Sequence, residues 1–70
     1  MTTVWMSDIR RARMCSRGAR DFFVRHNLDW NTFLREGIDA EALWDTGDPM
    51  AQEVVRVARE REEKEHGRKQ

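Results

Sequence analysis

Residues 28–47 read "LDWNTFLREG" followed at once by "IDAEALWDTG". Both halves follow one pattern: an aliphatic residue, Asp, three variable positions, two apolar positions, two variable ones and Gly. Asp29 and Asp39 each precede a short run, where a carboxylate accepts hydrogen bonds from the free N–H groups of a first helical turn. Leu28 and Phe33 stand one before and four after the first Asp, and Ile38 and Leu43 repeat that relation, so each run carries a hydrophobic staple. Gly37 and Gly47 close the runs, where a positive φ ends a helix. The repeat therefore predicts two successive short helices, over about 29–36 and 39–46. Neither is long enough to persist alone, so both must be held by packing of Trp30, Phe33, Leu34, Leu43 and Trp44. Two copies of ten residues are too few and too short for a solenoid.

The flanks extend the same architecture. In "SDIRRARMCSRGARDFFVRHN", Ser7 is a cap candidate and Asp8 suits the first turn. On a single helix, Ile9, Ala12, Cys15, Ala19, Phe22, Phe23 and His26 make an apolar stripe. Arg10, Arg13, Arg17 and Arg20 make a second stripe beside it. Asp21 and Arg25 are spaced for an i,i+4 pair, and Asn27 suits a left-handed stop. Ser16 as a cap and Gly18 as a poor helix former leave two readings open, one helix over 7–26 or two over about 7–13 and 16–26. Downstream, Asp48 caps a helix whose first residue is Pro49, where the missing N–H has no cost. Met50, Ala51, Val54, Val55, Val57 and Ala58 form its buried side. Beyond Ala58, "REREEKEHGRKQ" has no apolar face, only charges spaced for i,i+4 pairing (Arg56 and Glu60, Glu60 and Lys64, Arg61 and Glu65). "TVWM" alone reads as extended. The expected fold is all-α: a small compact bundle of four to five helices, two of them very short, with a longer C-terminal helix. Residues 1–58 form one helical domain, and 59–70 a charged, solvent-exposed extension or frayed tail.

With 70 residues the chain has room for one small core and little spare volume for a deep pocket. Catalytic chemistry has few footholds. Cys15 and His26 are about 16 Å apart along a continuous helix, too far to share a proton or a metal, so Cys15 reads as a small core residue. His26 suits a helix C-terminus, and His66 lies in the charged tail. Asp29, Asp39 and Asp48 already serve as caps. No phosphate loop, metalloprotease helix or calcium loop is present. The expectation is no enzyme, no catalytic residues, no metal and no cofactor. The single Cys excludes an internal disulfide and suits a reduced, intracellular setting. No apolar run approaches the ~20 residues of a membrane span, and the start lacks a signal-peptide pattern.

Binding is the remaining class. Lys+Arg and Asp+Glu balance at 13 each, which argues against a non-specific polyanion binder. The charges are nevertheless segregated. Arg10, Arg11, Arg13, Arg17, Arg20 and Arg25 face only Asp8 and Asp21 within residues 1–26. Asp29, Glu36, Asp39, Glu41, Asp45 and Asp48 face only Arg35 within residues 27–52. Arg10, Arg13, Arg17 and Arg20 are the candidate partner- or phosphate-binding residues, and Trp5, near the terminus, is a candidate exposed contact. A protein partner fits best, because Arg, Trp and Met are favoured at protein interfaces. Nucleic acid is the alternative, through arginine–phosphate contacts. A helix-turn-helix would make "WNTFLREG" the reading helix, but that run is short and sets Glu36 beside its one Arg35. Self-association stays open.

The combination of "C-x-R-G-A-R-x-F-F", "R-H-x-L-D-W-x-x-F-L-x-x-G-I" and "T-G-D-x-M-A" over residues 7–51 resembles a group of short proteins encoded by tailed bacteriophages and prophages. Where that pattern has glycine before the Cys and after the His, this chain has Arg13 or Met14, and Asn27. The resemblance implies a phage or prophage origin and life in the bacterial cytoplasm, or in the virion, with a phage or host protein as partner. It implies no activity and no residue roles.

Overall fold

The computed structural model describes residues 2–67, with side chains for residues 2–65. In chain order the elements are β1 (Thr3–Val4), α1 (Met6–Arg11), α2 (Ser16–Arg25), α3 (Trp30–Glu36), β2 (Ile38–Asp39), α4 (Ala40–Trp44) and α5 (Pro49–Gly67). The fold is mostly helical, with one small antiparallel pairing that sets Thr3 opposite Asp39 and Val4 opposite Ile38. The pairing continues one step, Ala40 N–H donating to the Thr2 carbonyl at 2.9 Å. Of "TVWM", Thr3–Val4 is extended and finds its partner in the linker between the two repeat helices, while Met6 is already helical. Asp39 ends β2 and also caps α4, accepting from Glu41 N at 3.1 Å. An N-cap residue has extended backbone torsions, so the two roles are compatible.

Most of the helix ends have an identifiable cause. Asp29 accepts from Thr32 N at 3.2 Å, and Asp48 from Ala51 N at 2.9 Å. Gly37 and Gly47 take φ of 75° and 76°. Arg13 and Asn27 are the non-glycine residues at positive φ, 63° and 56°, and each closes the same motif. Arg13 N–H donates to Arg10 O and Met14 N–H to Ile9 O; Asn27 N–H donates to Val24 O and Leu28 N–H to Phe23 O. These are Schellman caps. The left-handed turn at Arg13 decides between the two readings of residues 7–26 in favour of two helices.

The break corrects three local expectations. Cys15 is not core. It is exposed and caps α2, its Sγ accepting from Gly18 N at 3.3 Å, so Ser16 is the first helical residue and not the cap. Taken out of the helix, Cys15 no longer lies on the Ala12–Ala19 face. Ser7 is not a cap either. The first turn of α1 starts at Met6, and Asp8 reaches back to accept from Trp5 N at 2.9 Å.

α5 is the spine against which α4, α1 and β1 pack, while α2 bridges α1 and α3. The core comprises Val4, Ile9, Phe22, Phe23, Phe33, Leu43, Val54 and Val55 with Ala19, Ala40, Ala51 and Ala58. Phe23 sits at its aromatic centre, 4.9 Å from Phe33 and edge-on to Trp30 at 5.2 Å. Leu34 and Met50, expected in the interior, are exposed. A seven-residue helix buries one narrow face, and in α3 Phe33 takes it.

The charged stretch from residue 59 is helical through Gly67, and parts of it dock instead of standing in solvent. Arg59 lies over the Trp44 ring at 5.6 Å. Arg61 holds Asp8 through Nε at 3.0 Å and Nη2 at 3.2 Å, and Nη2 also donates to the Thr3 carbonyl at 3.0 Å. Glu62 accepts from the Thr2 hydroxyl at 2.9 Å. These contacts clasp residues 2–8 onto α5. Arg61 also meets Glu65 at 3.4 Å, whereas Arg56 turns to Glu53 at 2.8 Å and not to Glu60. Residues 68–70 of the tail, and the side chain of His66, lie outside the described residues.

Candidate binding surface on α1 and α2

Arg10, Arg11, Arg13, Arg17, Arg20 and Arg25 are all exposed. The ion pairs among the described residues are Arg56–Glu53, Arg61–Asp8 and Arg61–Glu65. None of the six N-terminal arginines is neutralised by the chain's own acids there.

They do not form one stripe. The turn at Arg13 takes α1 and α2 out of a common helical register, so Arg10 and Arg13 do not continue the line of Arg17 and Arg20. What the fold brings together is Ser16, Arg17 and Arg20 of α2 with Trp30 of α3, around a surface recess of about 240 Å³. Arg11 instead lines a groove with Val57, Glu60, Arg61 and Lys64. Trp5 is exposed (39%) and stands elsewhere, over Gly37, where a Cβ would come within 3.2 Å of its ring.

Position around α2 follows from steps of 100° per residue. Ala19, Phe22 and Phe23 face inward. Arg17, Asp21 and Val24 fall on the opposite side, with Arg20 and Arg25 flanking them. Val24 is 70% exposed and lines a shallow groove with Gly18, Asp21 and Arg25. An isolated helix would gain nothing from a β-branched aliphatic residue at that outward position. Val24 is thus an aliphatic side chain turned to solvent. Its place opposite Phe22 and Phe23 on the helical wheel was the signal that marks it.

The Trp30 side of the recess is held from behind. Its ring packs on Phe23 and, at 5.4 Å, on Phe33. Asp29 fixes the start of α3, accepting from the Thr32 hydroxyl at 2.8 Å as well as from its N–H. These two hydrogen bonds, the hydroxyl first, hold the Asp29 carboxyl below the usual carboxylate range.

The interior offers no comparable space: the void between Ile9, Phe22, Phe23 and Leu43 is about 10 Å³. Among the described residues no three His, Cys, Asp or Glu side chains are grouped to hold a metal ion. No helix among them is long and apolar enough to cross a membrane. Comparison with protein-family models, curated proteins and solved structures finds no match to this chain.

Proposed function

We propose that this chain is a small, non-catalytic binding protein that docks another protein through the outer face of α2. In the phage or prophage setting that the resemblance implies, the partner is a phage or host protein, met in virion assembly or in modulating a host factor. The observation that carries this reading is Val24, a solvent-facing aliphatic residue with Arg17, Arg20 and Arg25 around it. Burying its side chain against an apolar neighbour is favourable by about 1.5 kcal/mol or more, whereas a phosphate chain leaves it in water. Arginine beside an aliphatic residue is a combination typical of protein interfaces.

The test is a photo-crosslinker at position 24 in the full chain, expressed in the bacterial host. The expected result is one stoichiometric protein adduct, and loss of co-purification of that protein with Val24→Asp. No stoichiometric partner, or a Val24→Asp variant that binds as before, ends the reading.

The absence of ion-pair partners for the N-terminal arginines among the described residues favours a second reading, a nucleic-acid binder in which Arg10, Arg13, Arg17 and Arg20 meet phosphates. Its signature is affinity for DNA that falls with salt, with a slope of about 0.9 in log–log terms per duplex phosphate contacted. Absence of binding at low salt, or binding insensitive to salt, removes it.

A further inference from the structure

The recess formed by Ser16, Arg17, Arg20 and Trp30 has a restricted chemistry. Neither guanidinium has an ion-pair partner among the described residues, and no carboxylate lines the recess. The Trp30 indole N–H makes no hydrogen bond to a described residue. No buried polar side-chain atom of the described chain is left unpaired, so that N–H of the half-buried Trp30 is open to solvent. The residues of the lining carry donors, two guanidinium groups, an indole N–H and a hydroxyl, and one aromatic ring.

We propose that this recess receives one carboxylate, an Asp or Glu side chain on the protein segment that docks on α2. The proposal rests on the protein-binding reading and names the group the partner must present. One feature favours a single carboxylate over a run of phosphates. Asp21 within α2 and Asp29 at the N-cap of α3 are exposed carboxylates on the same two elements that build the recess. A polyanion running across it meets those charges, while a lone carboxylate held by arginine forks does not.

The experiment is an NMR titration of the ¹⁵N-labelled full chain with the capped peptide Leu-Ala-Glu-Ala-Leu, with its Gln counterpart, and with a thymidine tetranucleotide. The expected result is saturable movement of the Trp30 indole and the Arg17 and Arg20 Nε–H signals with the Glu peptide, and affinity lower by about 10-fold or more for the Gln peptide. Arg17→Gln and Arg20→Gln, both at exposed positions, each weaken the Glu peptide by about 10-fold and leave the remaining spectrum folded. Equal affinity for the two peptides overturns the proposal, as does tighter saturation of the same signals by the tetranucleotide. Movement of the Val24 signals without those of Trp30, Arg17 and Arg20 also overturns it, while leaving the protein-binding reading in place. No movement with any probe sinks the carboxylate site, and the crosslinking at position 24 still decides the wider reading.

Discussion

Asp8 has no solvent exposure, and its Arg61 partner keeps only 17%. A buried charge of this kind is tolerable only while paired. Arg61→Ala leaves Asp8 uncompensated and should cost about 3–5 kcal/mol in urea denaturation, much of the stability of a domain this small. Removing both charges, Asp8→Ala with Arg61→Ala, should cost less than the single Arg61 change, because the stranded carboxylate is gone. Asp29 gives the pH-dependent counterpart. Its folded pKa is depressed, so the stability it contributes is fully present above the unfolded carboxylate value of about 4 and is lost as pH falls through the lower folded value. Thr32→Val removes the largest cause of that depression. The Asp29 carboxyl, followed by ¹³C NMR, should then titrate at higher pH, with the acid limb of the stability curve moving up alongside it. Local cap roles such as that of Asp29 were legible in the sequence, because cap and capped amide lie three residues apart. The pairing of Asp8 with Arg61 was not. It spans 53 residues, and Arg61 sits among alternating charges that give no sign of which one folds back.

At the level of elements, the tandem repeat was readable down to its glycines, but the two glycines do different work. Gly37 has φ 75° and ψ −175°, and a Cβ there would come within 2.5 Å of Thr3 Cγ2 and 3.0 Å of the Val4 carbonyl. Gly47 has a similar φ, with nothing within 4 Å. Gly37→Ala should therefore push β1 off β2 and cost about 3 kcal/mol or more, whereas Gly47→Ala should cost only about 1 kcal/mol for its backbone. Thermal denaturation separates the two, and loss of amide protection at Ala40, which donates to Thr2, identifies the displaced strand. The break at residues 12–15 was only half legible. Gly18 and Ser16 hinted at it, but the residue that makes the turn is Arg13, whose type gives no warning of a left-handed conformation. Because Arg13 is exposed and its φ is 63°, Arg13→Gly should stabilise the chain by about 0.5–1 kcal/mol, read as a higher urea midpoint. A lower midpoint would mean that the Arg13 side chain itself supports the fold. The β1–β2 pairing escaped the sequence reading because two-residue strands carry no alternation to detect.

Across the whole molecule, charge is sorted by role. One arginine is used up inside the clasp that ties the N-terminal segment to α5. The arginines of α1, its turn and α2 are exposed, and Arg17 of α2 stands on the opposite side of that helix from the Phe22–Phe23 interior. Segregation of charge was visible in the sequence, but the idea of one continuous stripe was not sustained, since the stripe assumed one unbroken helix. The molecule measures 42 × 24 × 20 Å, and the exposed Arg17, Asp21 and Val24 mark the outer face of α2. The central claim is that the Arg61 guanidinium holds the fold while Arg10, Arg13, Arg17 and Arg20 are free to meet a partner. The direct measurement is hydrogen exchange of the arginine Nε–H groups by ¹⁵N NMR of the full chain. Arg61 should show a protected, slowly exchanging signal, and Arg10, Arg13, Arg17 and Arg20 should exchange fast. Fast exchange at Arg61, or protection at any of those four in the free chain, would contradict it.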